Sequence, residues 1–359
     1  MHRRILTALA ASSLTFLSHG GTPRADEYRV SGPVVHENLA IYLVHGKSAA
    51  GPVPLTLAEA LAKSAVKVHE TGNVNELQIE NLGNDEVFVQ SGDIVKGGQQ
   101  DRVLTVSLIL PQKSGRIPIA SFCVEQGRWS ARGKEDVKTF ATASAAIPSR
   151  EAKIAMRAPV IAAAPTAYAD PTAGIRGGQV SAARAASDTG DRQQEVWRKV
   201  RKVQDGLSAS LGVPVNAAAS QSSLQLALEN EKLKDAQAAY LTALQRAGEK
   251  EDVVGYIFAV NGKLNSAEVY PSNGLFRKMW PKLLQASVTE AIGHKNADSD
   301  PAPSSAVAMA FLDEGAKGKA SEKPLPAAVQ LEVRDGDKAL YFETRRAGGA
   351  WVHRSYLAK

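Results

Sequence analysis

Only one cysteine, Cys123, occurs in the 359 residues. No internal disulfide can form, so stability must come from a core. Histidine and cysteine are also absent from metal-ligand spacings: there is no His-x-x-x-His and no Cys-x-x-Cys. Neither a metal nor a cofactor is expected. Gly46-Lys47-Ser48 ends like a phosphate-binding loop, but Ile41 stands where that loop needs its first glycine, which excludes the motif. No repeat with a period of about 20 to 50 residues is visible, which excludes a solenoid. No lysine/arginine stripe interleaved with aromatics runs along the chain, so nucleic acid is not an expected partner.

The composition is that of a globular chain, 44% hydrophobic and 22% charged, sized for one large domain or two smaller ones. Residues 1–25 have the order of an export signal: basic His2, Arg3 and Arg4, an apolar run over 5–17, then Pro23-Arg24-Ala25 before Asp26. The run is too short to span a bilayer. Cleavage near Ala25 is expected, with a periplasmic or secreted mature chain and no transmembrane segment. Three of the 43 basic residues leave with that leader, so 40 remain against 37 acidic ones and the net charge falls from +6 to +3.

Along the chain, LAIYLV at 39–44 reads as a strand and Thr56-Leu57-Ala58-Glu59 as a capping box opening a short helix to about Lys63. Alternating apolar residues at 66–70, 76–80 and 86–90, separated by Gly/Asn/Asp turns, predict an antiparallel meander. Leu104, Val106, Leu108 and Leu110 alternate in the same way. A turn at 111–115 then returns residues 117–124 as the partner strand. Alanine makes up 17 of the 50 residues from 141 to 190, with Pro148, Pro159, Pro165 and Pro171 interspersed. Since proline interrupts helices, residues 155–190 are expected to be an extended or mobile connection. Helices are predicted at 191–206 and 222–246. Asn261-Gly262 between two apolar runs predicts a hairpin, followed by a helix over 273–292 that Pro281 should kink or break. Strands are expected at 329–333 and 339–344. Together these predict an α+β protein: an antiparallel β-rich half (33–140) and an α+β half (191–345), with a hairpin–helix layer, interlocked as one domain over 33–345.

The chemistry concentrates in GDIVKGGQQDRVLTVSLILPQKSGRIPIASFCVEQGRW, residues 92–129. The predicted hairpin brings Lys96, Gln99, Gln100, Asp101 and Arg102 to the same end as Glu125, Gln126, Arg128 and Trp129. Such amides, guanidinium groups and a carboxylate can hold a polar or anionic ligand, with Trp129 as a stacking face. The same residues also allow a plain Arg102/Glu125 ion pair that fixes the hairpin end. Cys123 is a candidate nucleophile beside Arg102 and Arg128, or a small buried hydrophobe inside an apolar strand.

GDIVKGGQQDRV with FCVEQGRW, and later VVGYIFAVNGKLNSAEVY and LFRKMWPKLL, resemble the ARG and Rhodanese-Phosphatase-superfamily-associated domain, a bacterial family. The resemblance covers roughly residues 33–292. It implies a fold and a shared surface, and the family's name associates it with ADP-ribose or phosphate chemistry by analogy alone. The expected function is binding of a small polar or anionic ligand, or of a protein partner. The alternative is a hydrolase or transferase acting on a phosphate- or ADP-ribose-like substrate. In that case Cys123 or Glu125 is the reactive group and Arg102 or Arg128 stabilises developing negative charge.

Overall fold

The computed structural model describes residues 28–162, 175–295 and 299–359, leaving aside the side chains of 158–189. The leader expected at 1–25 lies outside the described residues. Strands β1 (Arg29–His36) and β2 (Leu39–His45) form an antiparallel pair. All seven residues of β2 are buried, because its apolar run faces cover on both sides. β3 (Leu55–Thr56) runs into α1 (Leu57–Ala62), where the capping box forms as expected. Thr56 Oγ1 accepts from the Glu59 N–H at 3.2 Å, and Glu59 Oε2 accepts from the Thr56 N–H at 2.8 Å.

β4 (Val66–Glu70) and β5 (Glu76–Asn81) pair antiparallel and alternate buried with solvated residues. The third strand of the predicted meander, β6 (Val87–Val89), leaves them and pairs with β3 in parallel. Its Val-Phe-Val sequence has no polar face to give to water, and all three residues are buried. β7 (Asp93–Gly97), β8 (Arg102–Leu104), β9 (Leu108–Leu110) and β10 (Gly115–Cys123) correct the predicted 104–124 hairpin. Only Arg102 to Leu104 pair with Cys123 to Ser121, whereas β9 crosses to β6 and the start of β10 pairs with β5. Serine side chains divert the chain: Ser107 Oγ accepts from the Ser91 N–H at 2.9 Å, and Ser91 Oγ donates to the Thr105 carbonyl at 2.9 Å. Such side-chain bonds compete with a continuous ladder.

β11 (Phe140–Ala146) pairs with β7. The expected extended connection over 155–190 is overturned on both sides of 163–174, which lie outside the described residues. The chain is helical in α2 (Arg150–Ala162) and α3 (Ile175–Leu211). Alanine's helix propensity prevails, since Pro148 precedes α2, Pro165 and Pro171 fall between the helices, and only Pro159 lies within one. The helix predicted over 222–246 is two, α4 (Leu224–Leu228) and α5 (Glu231–Leu244). Asn230 divides them by capping α5, its side chain accepting from the N–H groups of Lys232 and Leu233.

β12 (Val253–Val260) and β13 (Lys263–Val269) form the expected hairpin, with Asn261 and Gly262 at φ 50° and 75°. Those positive values are what a tight hairpin turn requires. α6 (Asn273–Gly293) runs on through Pro281 without a break. The proline costs about 3 kcal/mol, yet α6 buries Leu275, Phe276, Met279, Trp280, Leu283, Leu284 and Val288. At about 1.5–3 kcal/mol for each fully buried side chain, packing wins. α7 (Ser305–Lys317), β14 (Lys319–Leu325), β15 (Val329–Asp335), β16 (Ala339–Arg346) and β17 (Trp351–Ala358) complete the described chain.

The largest sheet has the order β1-β2-β12-β13-β17-β16-β15-β14, the second β11-β7-β8-β10-β5-β4, and the smallest β3-β6-β9. The protein is thus α+β, its sheets mostly antiparallel. The alternate residues of β2 explain how the large sheet is covered. Leu39, Ile41 and Leu43 belong to the core formed with α3, α5 and α6, whereas Ala40, Tyr42 and Val44 pack with Phe311 and Leu312 of α7. The second sheet and the smallest one close over a shared core that includes Leu77, Ile79, Val95, Leu104 and Ile119 from the former and Val87 and Leu108 from the latter.

Candidate functional site

Two glycines shape the motif-bearing turn after β7. Gly97 and Gly98 have φ of 128° and 56°, and a Cβ on Gly98 would sit 2.5 Å from the Phe140 ring. Only glycine fits both the backbone and the space. The turn carries Asp101 into the interior, where it is fully buried. Arg132 meets it with both terminal nitrogens, at 2.9 and 3.0 Å. Ser223 Oγ donates to the same carboxylate at 2.7 Å, and the Gly97 N–H at 3.1 Å.

Glu125 shares the cluster. It accepts from Arg128 Nε at 2.8 Å, from the Asp101 N–H at 3.0 Å and from Arg132 at 3.3 Å. Burial alone would raise its pKa, but Arg128, Ser220 and the Asp101 N–H outweigh burial and hold it below the usual carboxylate value. Arg128 also donates to the carbonyls of Gly97, Gly98 and Ser130. This arrangement fits the buried-ion rule: each charge is paired and hydrogen-bonded.

Of the polar residues expected to meet, Gln99, Gln100 and Arg102 gather at Glu70, and Glu125 and Arg128 join Asp101 and Arg132, whereas Lys96, Gln126 and Trp129 turn elsewhere. Arg102 and Glu125 do not form an ion pair. Arg102, fully buried, lies 3.3 Å from Glu70 and donates to the Gln100 carbonyl at 3.0 Å. Its Nε has no hydrogen-bond partner. The Gln99 N–H reaches Glu70 at 3.3 Å, and Gln100 is buried with its side chain 3.4 Å from Arg102. Lys96 pairs with Glu229 at 2.7 Å. Gln126 is exposed, its backbone N–H and carbonyl both bonded to Ser222 Oγ, and Trp129 is 51% exposed. The sequence reading missed Glu70, Arg132, Ser223 and Glu229. Arg132 had a local signal, a second arginine just past Trp129; the others come from distant segments.

Cys123 is completely buried and its thiol is pushed up to about 11 by burial, with Arg102 opposing and Glu70 and Glu125 adding to the rise. Its backbone is clamped by Gln193, which donates to the carbonyl and accepts from the N–H, both at 2.9 Å. A thiol this protonated is a poor nucleophile, and the environment is that of a packed hydrophobe.

A cleft of about 690 Å³ opens along α6, between that helix, the end of α5 and the start of α1. Its polar lining includes Arg277, Lys278, Lys282, Gln245, Gln285 and Ser144, and one carboxylate, Glu249. A second hollow of about 160 Å³ shares Ser144, Lys282 and Gln285 and extends to Glu229, the partner of Lys96. Lys282 pairs with Asp93 in the Gly92-Asp93 turn, so the cleft floor is tied to the motif-bearing stretch. Lys278 lies 3.2 Å from Glu59. Arg277 is exposed and, among the described residues, has no side-chain partner in the protein. None of Gln99, Gln100, Arg102, Glu125 or Arg128 lines these two spaces.

Ser107, His353 and Glu268 also meet. Ser107 Oγ is 3.0 Å from His353 Nδ1, and His353 Nε2 is 3.0 Å from Glu268 Oε2. The distances are those of a serine–histidine–carboxylate relay. Phe88 and Tyr270 pack against the His353 ring, and Ser107 and His353 are each only 3% exposed. The row joins β17 and β13 to the loop before β9, as a sealed polar seam.

Among the described residues no helix is long and apolar enough to cross a membrane. Fold and site define an α+β protein with a locked ion cluster at one sheet end and an open polar cleft along its longest apolar-faced C-terminal helix. Residues 27–357 match the family model of the ARG and Rhodanese-Phosphatase-superfamily-associated Protein domain, ARPP-1. The chain belongs to this family, whose activity is unknown. Comparison with curated proteins and with solved structures finds no match.

Proposed function

We propose that the protein binds a small polar ligand carrying an anionic group in the cleft along α6, and that it does so as an exported protein. The observation that carries this reading is Arg277: a guanidinium without a protein partner among the described residues, on the wall of a cleft that also holds Lys278 and Lys282. Lys278 and Lys282 are already neutralised by Glu59 and Asp93, so Arg277 is the cation left to meet an anion. Gln245, Gln285 and Ser144 add hydrogen-bonding groups for the neutral part of the ligand. The volume falls within the range of about 300–1,000 Å³ typical of small-molecule sites. Thiol chemistry gains no support from a fully buried Cys123.

Calorimetry with ADP-ribose, AMP and pyrophosphate tests the reading. A charge-assisted contact contributes about 1.5–3 kcal/mol, so Arg277→Ala should weaken binding by about tenfold or more. Absence of binding by all three at millimolar concentration, or equal affinity in the variant, sinks it. Export follows from the basic-apolar-polar order of residues 1–25. Recovery of the full-length chain in the cytoplasmic fraction, with the leader uncleaved, would refute that part.

A further inference from the structure

We propose that a separate hollow, between the tip of the β12–β13 hairpin and the first turn of α2, takes a small zwitterion: its ammonium against Glu290 and Asn265, its carboxylate against Arg150. The space measures about 200 Å³ and is lined by Arg150, Asn261, Lys263, Asn265, Glu290 and Asp300, among others. It shares none of its lining with the α6 cleft.

At this hollow Glu290 and Asn265 engage each other, and each also keeps one buried acceptor oxygen without a hydrogen-bond partner among the described residues. Glu290 is 6% exposed; its Oε1 accepts from the Arg150 N–H at 3.1 Å, whereas Oε2 has no hydrogen-bond partner. Asn265 is 7% exposed, and its Oδ1 is likewise without a partner. Leaving buried acceptors unpaired is costly, and native structures rarely tolerate two together without a reason. A ligand bearing N–H donors supplies what both lack. Among the described residues no three His, Cys, Asp or Glu side chains gather as a metal shell, and an ammonium is the donor that two acceptors can hold.

The same hollow carries positive charge that the protein does not use. Among the described residues the side chains of Arg150 and Lys263 have no protein partner. An amine alone would leave these cations facing it; a carboxylate alone would face Glu290 and Asp300. A molecule with both charges satisfies both walls. The space is below the about 300 Å³ at which drug-sized sites begin, which limits the ligand to the size of a simple amino acid.

Proton linkage gives the site a signature. Burial raises the Glu290 carboxyl, opposed by Asn265 on β13, by the Arg150 N–H and Lys153 on α2, and by His294 at the end of α6. Holding an ammonium requires the carboxylate form, so binding releases a proton and affinity rises with pH through the raised value.

The test is calorimetry on the full chain with L-alanine and 4-aminobutyrate, which differ in charge separation, and with butylamine and butyrate as single-charge controls. The expected result is saturable binding of one zwitterion, at least tenfold tighter than either control and tightening as pH rises. Glu290→Gln and Arg150→Ala should each weaken it at least tenfold. Arg150→Ala keeps the backbone N–H that Glu290 uses, so it serves even where Glu290→Gln fails to fold. Binding of neither zwitterion, equal binding of butylamine, or an Arg150→Ala protein with unchanged affinity would each overturn the assignment.

Discussion

Arg132 grips Asp101 in a two-pronged pair, 2.9 and 3.0 Å, across 31 positions of sequence. The loop after β10 is thereby bolted to the glycine turn after β7. Each partner brings further bonds, Asp101 from Ser223 and Gly97 and Arg132 to Glu135 and Glu125. Removing one partner strands a buried charge rather than merely subtracting a contact.

Arg132→Ala should therefore destabilise the protein by about 3–5 kcal/mol, read as a lowered urea midpoint. Arg128→Ala should do the same through Glu125. A loss below about 1 kcal/mol, the level of a surface pair, would mean that the cluster is solvated in solution.

Acid should act through Glu125. Its pKa is held down in the folded state, whereas in the unfolded chain it returns to about 4.3. The stabilisation is thus complete above the unfolded value and is lost as pH falls through the lower folded one. Melting temperatures of the parent protein and Glu125→Gln should differ most near neutrality and converge below pH 4. A constant gap down to pH 3 would contradict this.

Cys123 should resist iodoacetamide in the native protein and react once guanidinium unfolds it, because its thiol is fully buried and pushed up to about 11. Cys123→Ala should cost only about 1 kcal/mol, the usual size of a point-mutant effect. Rapid native alkylation at pH 7.5, followed by mass spectrometry, would be the contrary result.

Gly98→Ala should lose about 2–4 kcal/mol, combining the left-handed backbone penalty with overpacking against the Phe140 ring. The double variant with Phe140→Leu should recover part of that loss by thermal melting, since the space is then relieved but the backbone is not. No recovery would place the whole cost in the backbone.

What the sequence made legible was local. The Thr56 capping box, the Asn261-Gly262 hairpin and the apolar stripe of α6 each depend on residues a few positions apart, and each is present. Asn230 was an equally local cap, hidden by a heptad of Leu226, Leu233 and Tyr240 that continued across it. The non-local choices were not legible. Alternation at Leu104 to Leu110 suits one long strand or two short ones, and Ser91 with Ser107 decided between them. At the polar cluster, sequence identified which charges gather but not who pairs with whom. Arg102 meets Glu70, 32 positions away across the sheet, which spacing does not reveal, whereas Glu125 meets Arg128 only three positions on.

β17 lies inside the largest sheet, between β13 and β16. Its partners on one side, Ser266 to Val269, are made by the ribosome long before Leu357 to Arg354 arrive to pair with them. Every nascent chain therefore holds an unpaired β13 border while β17 is still missing, a template for unwanted pairing. Such long-range closure is slow, so the sheet is finished only after most of the chain has been synthesised. A chaperone that shields β13 during that interval, or an added competing strand peptide, should alter the yield of folded protein without touching its final stability.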